Sequence, residues 1–467
     1  MHRYFLAIVF GCVGFMPVTR GEDTVGRSMP DLVFFIADDL SSRDLGLYGG
    51  IDIPTPAIDR LAARGMTFDA AFVASPSCAP SRAALLTALM PARNGAQDNH
   101  SYPGDHAPSM PQMLRDRGYQ TAAFGKVAHN KSASQYGFEV IEPGKEIPQL
   151  RESVSRFLDE RSDERPLAMF VGTSDPHVPW PPRSTVAPEA IRLPPTQIDT
   201  PRTRVQRSRY LQEVIDLDEF FGWLVEETDK RLGGDKVTVF TSDHGSQFPL
   251  GKWTLYDEGI RVPLVMVWPD HIAEKARTDA MVSFVDLFPT LMDLAGKPID
   301  ASETDAPLDG RSFADVLRGD SDTHREFIFA THTGDRKMNV YPSRSVRTER
   351  YKYIRNPHPE FAFTTHIDLL RRDTSGDYFE EWDRAARNDR DAAAKLARYR
   401  GRPAEELYDL RADPYEIDNL ASDPDHAETV AKLSGRLDQW LQSQQDDIAV
   451  LYEPLLLDAP ETWKPRK

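Results

Sequence analysis

Cys78-Ala79-Pro80-Ser81-Arg82 places a sulfur nucleophile shortly ahead of a permanent cation. The rest of the chain offers groups that would serve such a nucleophile. Adjacent carboxylates stand at Asp38 and Asp39, a carboxylate and an imidazole at Asp243 and His244, and cations or bases at Lys126, His129, His177 and Lys252. Asp38, Asp39, Asp243 and His244, with the side chain at position 78, make a hard, oxygen-rich donor set. It suits Ca²⁺ first and Mg²⁺ second, and suits zinc poorly, because zinc favours more His or Cys. Arg82, Lys126, Lys252 and His177 would surround an anion held on that metal. A metal with cations around a nucleophile is an arrangement for transferring a tetrahedral anion. Each piece alone has a plainer meaning. A free cysteine is commonly a small buried hydrophobe, and an Asp-Asp pair is commonly a solvated loop.

The elements expected from the sequence would carry these residues to one place. Residues 32–37 are a continuous apolar run of strand length, the pattern of a strand buried on both faces, and it ends at Asp38-Asp39. Two carboxylates directly after a buried strand are costly unless positive charge joins them. Further strands at 120–124, 167–171 and 237–241 end just before Lys126 and His129, before Asp175-Pro176-His177, and before Asp243-His244. A fifth strand is expected at 262–268. Helices at 55–64, 83–89, 110–117, 210–232 and 286–295 alternate with them. This predicts an α/β fold with a large, mostly parallel sheet between helices, which binds ligands beyond the carboxyl ends of its strands. Pro76 and Pro80 keep the approach to the cysteine extended, and Ser81 is read as the cap of the following helix. Cys78 then lies just ahead of a helix N-terminus, which favours an anion. The Pro-rich segments 179–182 and 194–201 read as surface loops.

From about residue 330 the texture changes. A hairpin at 345–354, a strand at 406–410 and an amphipathic helix at 426–442 predict a smaller antiparallel α+β subdomain. The charged run 371–402 reads as a solvated helix or loop. The expected organisation is a catalytic domain at 30–325, a C-terminal subdomain at 326–450 and a tail at 451–467.

The chain has 467 residues, 40% of them hydrophobic, enough for a large core. Its net charge of -17, from 56 Lys+Arg against 73 Asp+Glu, argues against wholesale affinity for nucleic acid or anionic membranes. An anionic substrate must therefore be drawn by local cations. His2 and Arg3, the short apolar run 4–18 and Thr19-Arg20-Gly21 read as a signal peptide over 1–21. That implies a secreted or periplasmic protein, and the run is too short for a stable membrane span. Cys12 would leave with the signal, so Cys78 would be a lone thiol in an oxidising compartment. Such a thiol has a chemical purpose or has been modified.

The run Cys78-Ala79-Pro80-Ser81-Arg82-Ala83-Ala84-Leu85-Leu86-Thr87 closely resembles the signature of the formylglycine-dependent sulfatases. The resemblance continues in order through Ala37-Asp38-Asp39, Gly125-Lys126, Asp175-Pro176-His177, Ser242-Asp243-His244-Gly245 and Lys252. It ends in Glu406-Leu407-Tyr408-Asp409-Leu410, Asp413-Pro414, Glu416 and Asn419-Leu420. It spans about residues 30 to 445 and implies an alkaline-phosphatase-like fold. It also implies oxidation of Cys78 to formylglycine by a maturation enzyme, and a nucleophilic hydroxyl activated on a divalent metal. Asp243 would help orient or deprotonate the nucleophile, Lys126 and Lys252 offset charge on the sulfuryl oxygens, and His177 act as the acid. His129 would be the base of the second step, and Arg82 would hold the loop.

Three positions depart from the family pattern. Ala88 stands where a glycine is usual, His129 lies three residues after Lys126 where many members have two, and His244 replaces a common Asn. The last two are similar to the iduronate sulfatases. Phe248-Pro249-Leu250-Gly251-Lys252, Tyr341-Pro342-Ser343-Arg344-Ser345-Val346, the segment 351–356 and Arg93-Asn94-Gly95 resemble the heparan N-sulfatases (sulfamidases) and are read as substrate-side loops. The resemblance thus implies a sulfated saccharide substrate attacked from its end. Two other readings differ in kind: a phosphoesterase of the same superfamily, and a non-catalytic binder of sulfated glycans that keeps Cys78 as a thiol.

Overall fold

Asp31–Ala37 is apolar on both faces because it lies at the centre of a sheet covered on both sides. Val33, Phe35 and Ala37 point to one layer, and Leu32, Phe34 and Ile36 to the other. Phe35 meets Phe221 at 5.1 Å and stacks on Phe240 at 5.6 Å. Each such ring contributes about 1.5–3 kcal/mol by burial. This computed structural model describes residues 29–50, 52–129 and 132–463; the signal expected at 1–21 lies outside the described residues.

Among the described residues the main sheet has eight strands, in the order Val140–Glu142, Gln120–Gly125, Leu167–Gly172, Asp31–Ala37, Lys236–Ser242, Leu264–Val267, Met66–Phe68 and Ala276–Thr278. The first five are parallel. Ile36 pairs with Gly172, Ala37 with Ser242, and Gly125 with Gly172, so the strands end level with one another. Gly125 and Gly172 permit that alignment. A Cβ on either would lie 2.2 Å from a backbone oxygen, and Lys126 N donates to Gly172 O at 2.7 Å. The strand expected at 262–268 is shorter, Leu264–Val267, and runs antiparallel to Lys236–Ser242. The chain between them contains only the short helix Asp257–Ile260, so it re-enters the sheet from the same end.

The helix expected from residue 210 begins nine residues earlier, at Pro201. Pro201 occupies the first turn, where proline is favoured, and Thr200 caps it by accepting from Thr203 N. Pro201–Leu232 covers one face of the sheet with Pro56–Ala62 and Ile147–Glu160; Cys78–Thr87, Met110–Asp116 and Phe284–Leu294 cover the other.

A second sheet runs antiparallel through Ile328–Asp335, Asn339–Arg347, Tyr351–Arg355 and Glu405–Asp409. Helix Ala427–Gln444 buries Leu433, Leu437 and Leu441 against it, and Trp440 stacks on Phe329. The charged run is not simply solvated. Tyr378–Ala385 and Arg390–Arg400 bury Tyr378, Phe379, Trp382 and Tyr399, and Trp382 Nε1 donates to Thr203 Oγ1 on the long helix. Its exposed charges mask a sparse apolar stripe. The loop at 179–182 likewise buries Trp180, stacked on Phe248 at 4.8 Å. No helix among the described residues is long and apolar enough to cross a membrane.

Candidate active site

Cys78 is the first residue of helix Cys78–Thr87, not a residue ahead of it. Pro80 fits the first turn without cost, so the helix starts earlier than the proline spacing suggests. Ser77 occupies the cap position in extended conformation but makes no side-chain cap bond. Ser81 does not cap: it lies inside the helix, and its hydroxyl donates to Asp243 O at 2.5 Å. The helix stops at Thr87 because Ala88 takes a left-handed φ of 55°. That conformation suits glycine, the residue usual there in the family the sequence resembles.

Five predicted residues converge. Asp38, Asp39, Cys78, Asp243 and His244 offer ligand atoms that all lie within 4.8 Å of one another, and all five are buried. The strand ends do the positioning. Asp38 N donates to Asp175 O and Asp243 N to Ala37 O, each at 3.1 Å, and Asp39 N donates to Asp243 Oδ1 at 3.1 Å. His244 Nδ1 lies 3.0 Å from Gly245 O, so it donates there and turns Nε2 toward the cluster, 3.3 Å from Cys78 Sγ and 3.3 Å from Asp39 Oδ1. Cys78 Sγ also lies 3.6 Å from Asp38 Oδ1.

The cations interleave with these acids. Arg82 donates from Nε to Asp243 Oδ2 at 2.9 Å and from Nη2 to Asp38 Oδ1 at 3.3 Å, tying two strand ends to the cysteine helix. Its Nη1 donates to the backbone oxygens of Lys126 and Val127. Lys252 Nζ donates to both oxygens of Asp39, at 2.8 and 3.0 Å, and lies 3.4 Å from Cys78 Sγ. Lys126 Nζ pairs with Asp38 and lies 3.6 Å from the sulfur.

Charge follows from this placement. Burial raises the Asp38 carboxyl, but Lys126, His177 and Arg82 more than reverse it and hold it well below the carboxylate range. Burial raises the Cys78 thiol, and Lys126 and Lys252 bring it below its ordinary value. Asp39 goes the other way, pushed up to about 7 by burial against the pull of Lys252 and His244. Burial opposes charge on His244, yet Asp243 and Asp39 raise it to about 9. Carboxylate and imidazole alike draw protons, as expected of a donor set suited to more positive charge than the side chains supply. Three buried carboxylates and an imidazole nitrogen therefore fit a hard divalent cation.

His177 faces the cluster. Its Nδ1 donates to Val178 O at 2.6 Å, and its Nε2 lies 3.9 Å from Asp39 Oδ2. Burial, Lys252 and Lys126 keep it well below the ordinary imidazole range. His129 has a different neighbour: its Nε2 lies 2.7 Å from Nδ1 of His100. His100, Asn99, Gln247, Asp335 and His366 form a polar network there that sequence reasoning missed. They stand in no motif, and no local periodicity marks them.

Within the segments that resemble the sulfamidases, Lys252 lies in the cluster, while several other side chains have partners inside the protein. Arg344 is fully buried and pairs with Asp446 at 2.5 and 2.8 Å. Tyr341 and Phe248 are buried aromatics, and Arg93 pairs with Asp309 at 2.8 Å.

Solved structures share this architecture. That of BT4656 in complex with its substrate D-glucosamine-2-N,6-O-disulfate aligns with a TM-score of 0.69 at 20% identity, over 91% of this chain and all (100%) of that one. A putative sulfatase from Bacteroides thetaiotaomicron aligns at 0.66 and 22% identity, over 91% of this chain and 96% of that one. The fold is that of the alkaline-phosphatase-like enzymes. The sulfatase family profile matches residues 30–146 and 146–297, and the chain belongs to that family of sulfuric ester hydrolases. A second profile, the C-terminal region of N-sulphoglucosamine sulphohydrolase, matches residues 246–373. The chain is 28% identical to an ulvan-active sulfatase of Formosa agariphila, over 94% of this chain and 88% of that one. It is 29% identical to the N-sulphoglucosamine sulphohydrolase of Homo sapiens, over 90% of this chain and 91% of that one.

Proposed function

We propose that this chain is an exported sulfatase that removes sulfate from the end of a sulfated saccharide, with formylglycine at position 78 and one divalent cation. The observation that carries the reading is that position 78 lies within 3.6 Å of Asp38, His244, Lys126 and Lys252 at once. Asp38, Asp39, Asp243 and His244, with the side chain at 78, would hold the cation, Ca²⁺ ahead of Mg²⁺. Bound there, the cation supplies Lewis acidity toward the nucleophile and the sulfuryl oxygens.

The remaining work falls to the chain's own groups. Lys126 and Lys252 bind the sulfuryl oxygens and offset the charge that grows on them. Arg82 fixes the cysteine helix to Asp38 and Asp243. Asp243 orients the nucleophile. His177 delivers a proton from Nε2 to the leaving oxygen or nitrogen; the substrate's negative charge works against burial and the two lysines, which otherwise keep this ring neutral. His129 is the base that accepts a proton when sulfate is released.

A saccharide carrying N-sulfoglucosamine at its end is the first candidate substrate. The C-terminal profile match and the likeness to the human N-sulphoglucosamine sulphohydrolase support it. The ulvan-active relative supports the broader class of sulfated saccharides. The partner implied by this reading is a formylglycine-generating maturation enzyme. A peptide mass spectrum across residues 75–93, from protein exported by its own host, tests it. The expected result is a loss of roughly 18 mass units at Cys78, thiol to aldehyde, with sulfate release from a panel of N- and O-sulfated sugars. An unmodified thiol, or release of phosphate in preference to sulfate, would reject it.

A further inference from the structure

The second sheet sends one hairpin turn to the edge of the candidate active site. Strand Ile328–Asp335 turns back into Asn339–Arg347 through Arg336, Lys337 and Met338. The turn is pinned to Asp98 and Asn99. Asn99 N donates to Gly334 O at 3.0 Å, and Asn99 Nδ2 donates to Asp335 Oδ1 at 3.3 Å. Arg336 N donates to Asp98 Oδ1 at 3.2 Å, and a Cβ on Gly334 would lie 3.3 Å from that same oxygen. Asn99 also reaches the helix that carries Cys78, since its Oδ1 accepts from Ala79 N at 3.2 Å. A single side chain thus joins the hairpin turn to the first turn of Cys78–Thr87.

The segment after the last long helix completes this edge. Tyr452 OH donates to Asp98 Oδ2 at 3.3 Å, so Asp98 ties the C-terminal segment to the hairpin turn. Beyond it, Ala362 N donates to Leu455 O at 2.7 Å and Leu457 N to Glu360 O at 3.0 Å, which fixes the segment in place. Burial and Asp98 raise the Tyr452 phenol, and Arg336 draws it back, so the guanidinium stands close to that hydroxyl. Tyr452 keeps 36% of its surface exposed. Arg336 and Lys337 are exposed too, and among the described residues neither side chain makes an ion pair. In a chain of net charge -17, two adjacent cations without a carboxylate partner, next to an exposed ring, make a local anion-favouring surface. Such a surface suits an anionic sugar: the ring offers an apolar face, and the cations meet a carboxylate or sulfate.

We infer that Arg336, Lys337 and Tyr452 receive the second unit of the saccharide, the one next to the end that carries the sulfate to be removed, and favour a unit bearing a carboxylate or sulfate. The inference rests on the saccharide-end reading given under Proposed function. These residues determine specificity and take no part in the chemistry. Contacts remote from the reacting bond are made alike in the ground and transition states, so they act on KM more than on kcat. The cations are exposed, so their effect weakens as salt rises.

The test compares N-sulfoglucosamine alone with the same sugar linked to glucuronic acid and linked to glucose. One variant combines Arg336→Asn with Lys337→Gln, since asparagine tolerates the left-handed φ of 51° at 336; the other is Tyr452→Ala. In the double variant, kcat/KM on the glucuronic acid disaccharide relative to the monosaccharide should fall by about 3- to 20-fold, mostly through KM and less at high salt. The same ratio for the glucose disaccharide should change by less than about twofold, because no charge pair is lost. Tyr452→Ala should lower both ratios by about threefold or more. An unchanged ratio on the glucuronic acid disaccharide, or an equal fall on both disaccharides in the double variant, would overturn the inference. If Tyr452→Ala does not fold, the double variant, made at exposed positions, decides alone. Calorimetric titration of the Cys78→Ala protein with the three sugars needs no turnover. Tighter binding of the glucuronic acid disaccharide that is lost on adding the double substitution upholds the inference even where no sulfate is released, and then only the sulfatase reading fails. Sulfate release without that difference in binding keeps the sulfatase reading and removes this one.

Discussion

Two buried charge clusters hold this molecule's main sheet and its C-terminal part, and they resemble one another until their geometry is compared. The first surrounds Cys78. The second joins Asp257, beyond the main sheet, to Arg347 and Lys352 of the second sheet and to Glu416. Lys352 Nζ lies 2.5 Å from Asp257 Oδ1 and 2.7 Å from Glu416 Oε1. Arg347 reaches both oxygens of Asp257 at 3.3 Å, and Glu416 Oε2 accepts from Asp257 N at 2.6 Å. Each cluster pulls one acid down and pushes one up. Burial raises Asp257, yet Arg347 and Lys352 bring it well below the carboxylate range; Glu416 is pushed up to about 7 by burial, as Asp39 is in the first cluster. Perturbed acidity alone therefore does not mark a site. The difference lies in composition and place. The second cluster closes its charges on one another between two sheets. The first gathers three carboxylates and an imidazole around the side chain of Cys78 at the ends of parallel strands, with ligand atoms within 4.8 Å of one another.

The sharpest way to break this comparison is to substitute each cluster and ask which property fails. Cys78→Ala should reduce kcat/KM by about 10⁴-fold or more, the scale of losing a nucleophile, with the denaturation midpoint little changed. Steady-state kinetics beside a urea melt check both halves. Lys352→Met should do the reverse. It leaves two buried carboxylates without their shared cation and should cost about 3–5 kcal/mol of stability, while activity per folded molecule is retained. Equal losses of activity and stability in both variants would mean that the clusters are not functionally distinct.

The smallest effect concerns pH. The folded-state pKa of Glu416 is about 7, above the ordinary 4.5, so the folded protein binds more protons than the unfolded chain between those values. Its contribution to stability is complete below 4.5 and is lost as pH rises through 7. Glu416→Gln should remove that slope, worth about 1–3 kcal/mol across the window. Urea melts at stepped pH values measure it. An unchanged slope would show that the second cluster does not hold a proton as described.

Much of the first cluster was legible because its carboxylates, His244 and Lys126 follow recognisable strands. The apolar runs before Asp38, Lys126 and Asp243 announced where the sheet edge would lie, and Cys78, Arg82 and Lys252 stood in motifs of their own. The second cluster was not legible. Glu416 and Lys352 stand in segments that carry the resemblance, but nothing in the sequence pairs them with Asp257, and only the docking of two sheets buries the three together. The same holds for Arg344, which lies in a segment read as a substrate-side loop and is paired inside with Asp446. The direction of Leu264–Val267 also escaped, since a run of four apolar residues does not say from which end it enters a sheet.

Sequence by itself determined the groups available: a thiol, a hard donor set, the cations around them, and the alternating strands and helices that bring them to one edge. These are properties of residues close together in the chain, where propensity and spacing act. Tertiary structure alone decided which charges close on one another and which stay available. It also decided that His129, from the first sheet, meets a carboxylate of the second through His100. Pairings across such distances in sequence depend on how two sheets dock, and docking depends on the packing of the whole core.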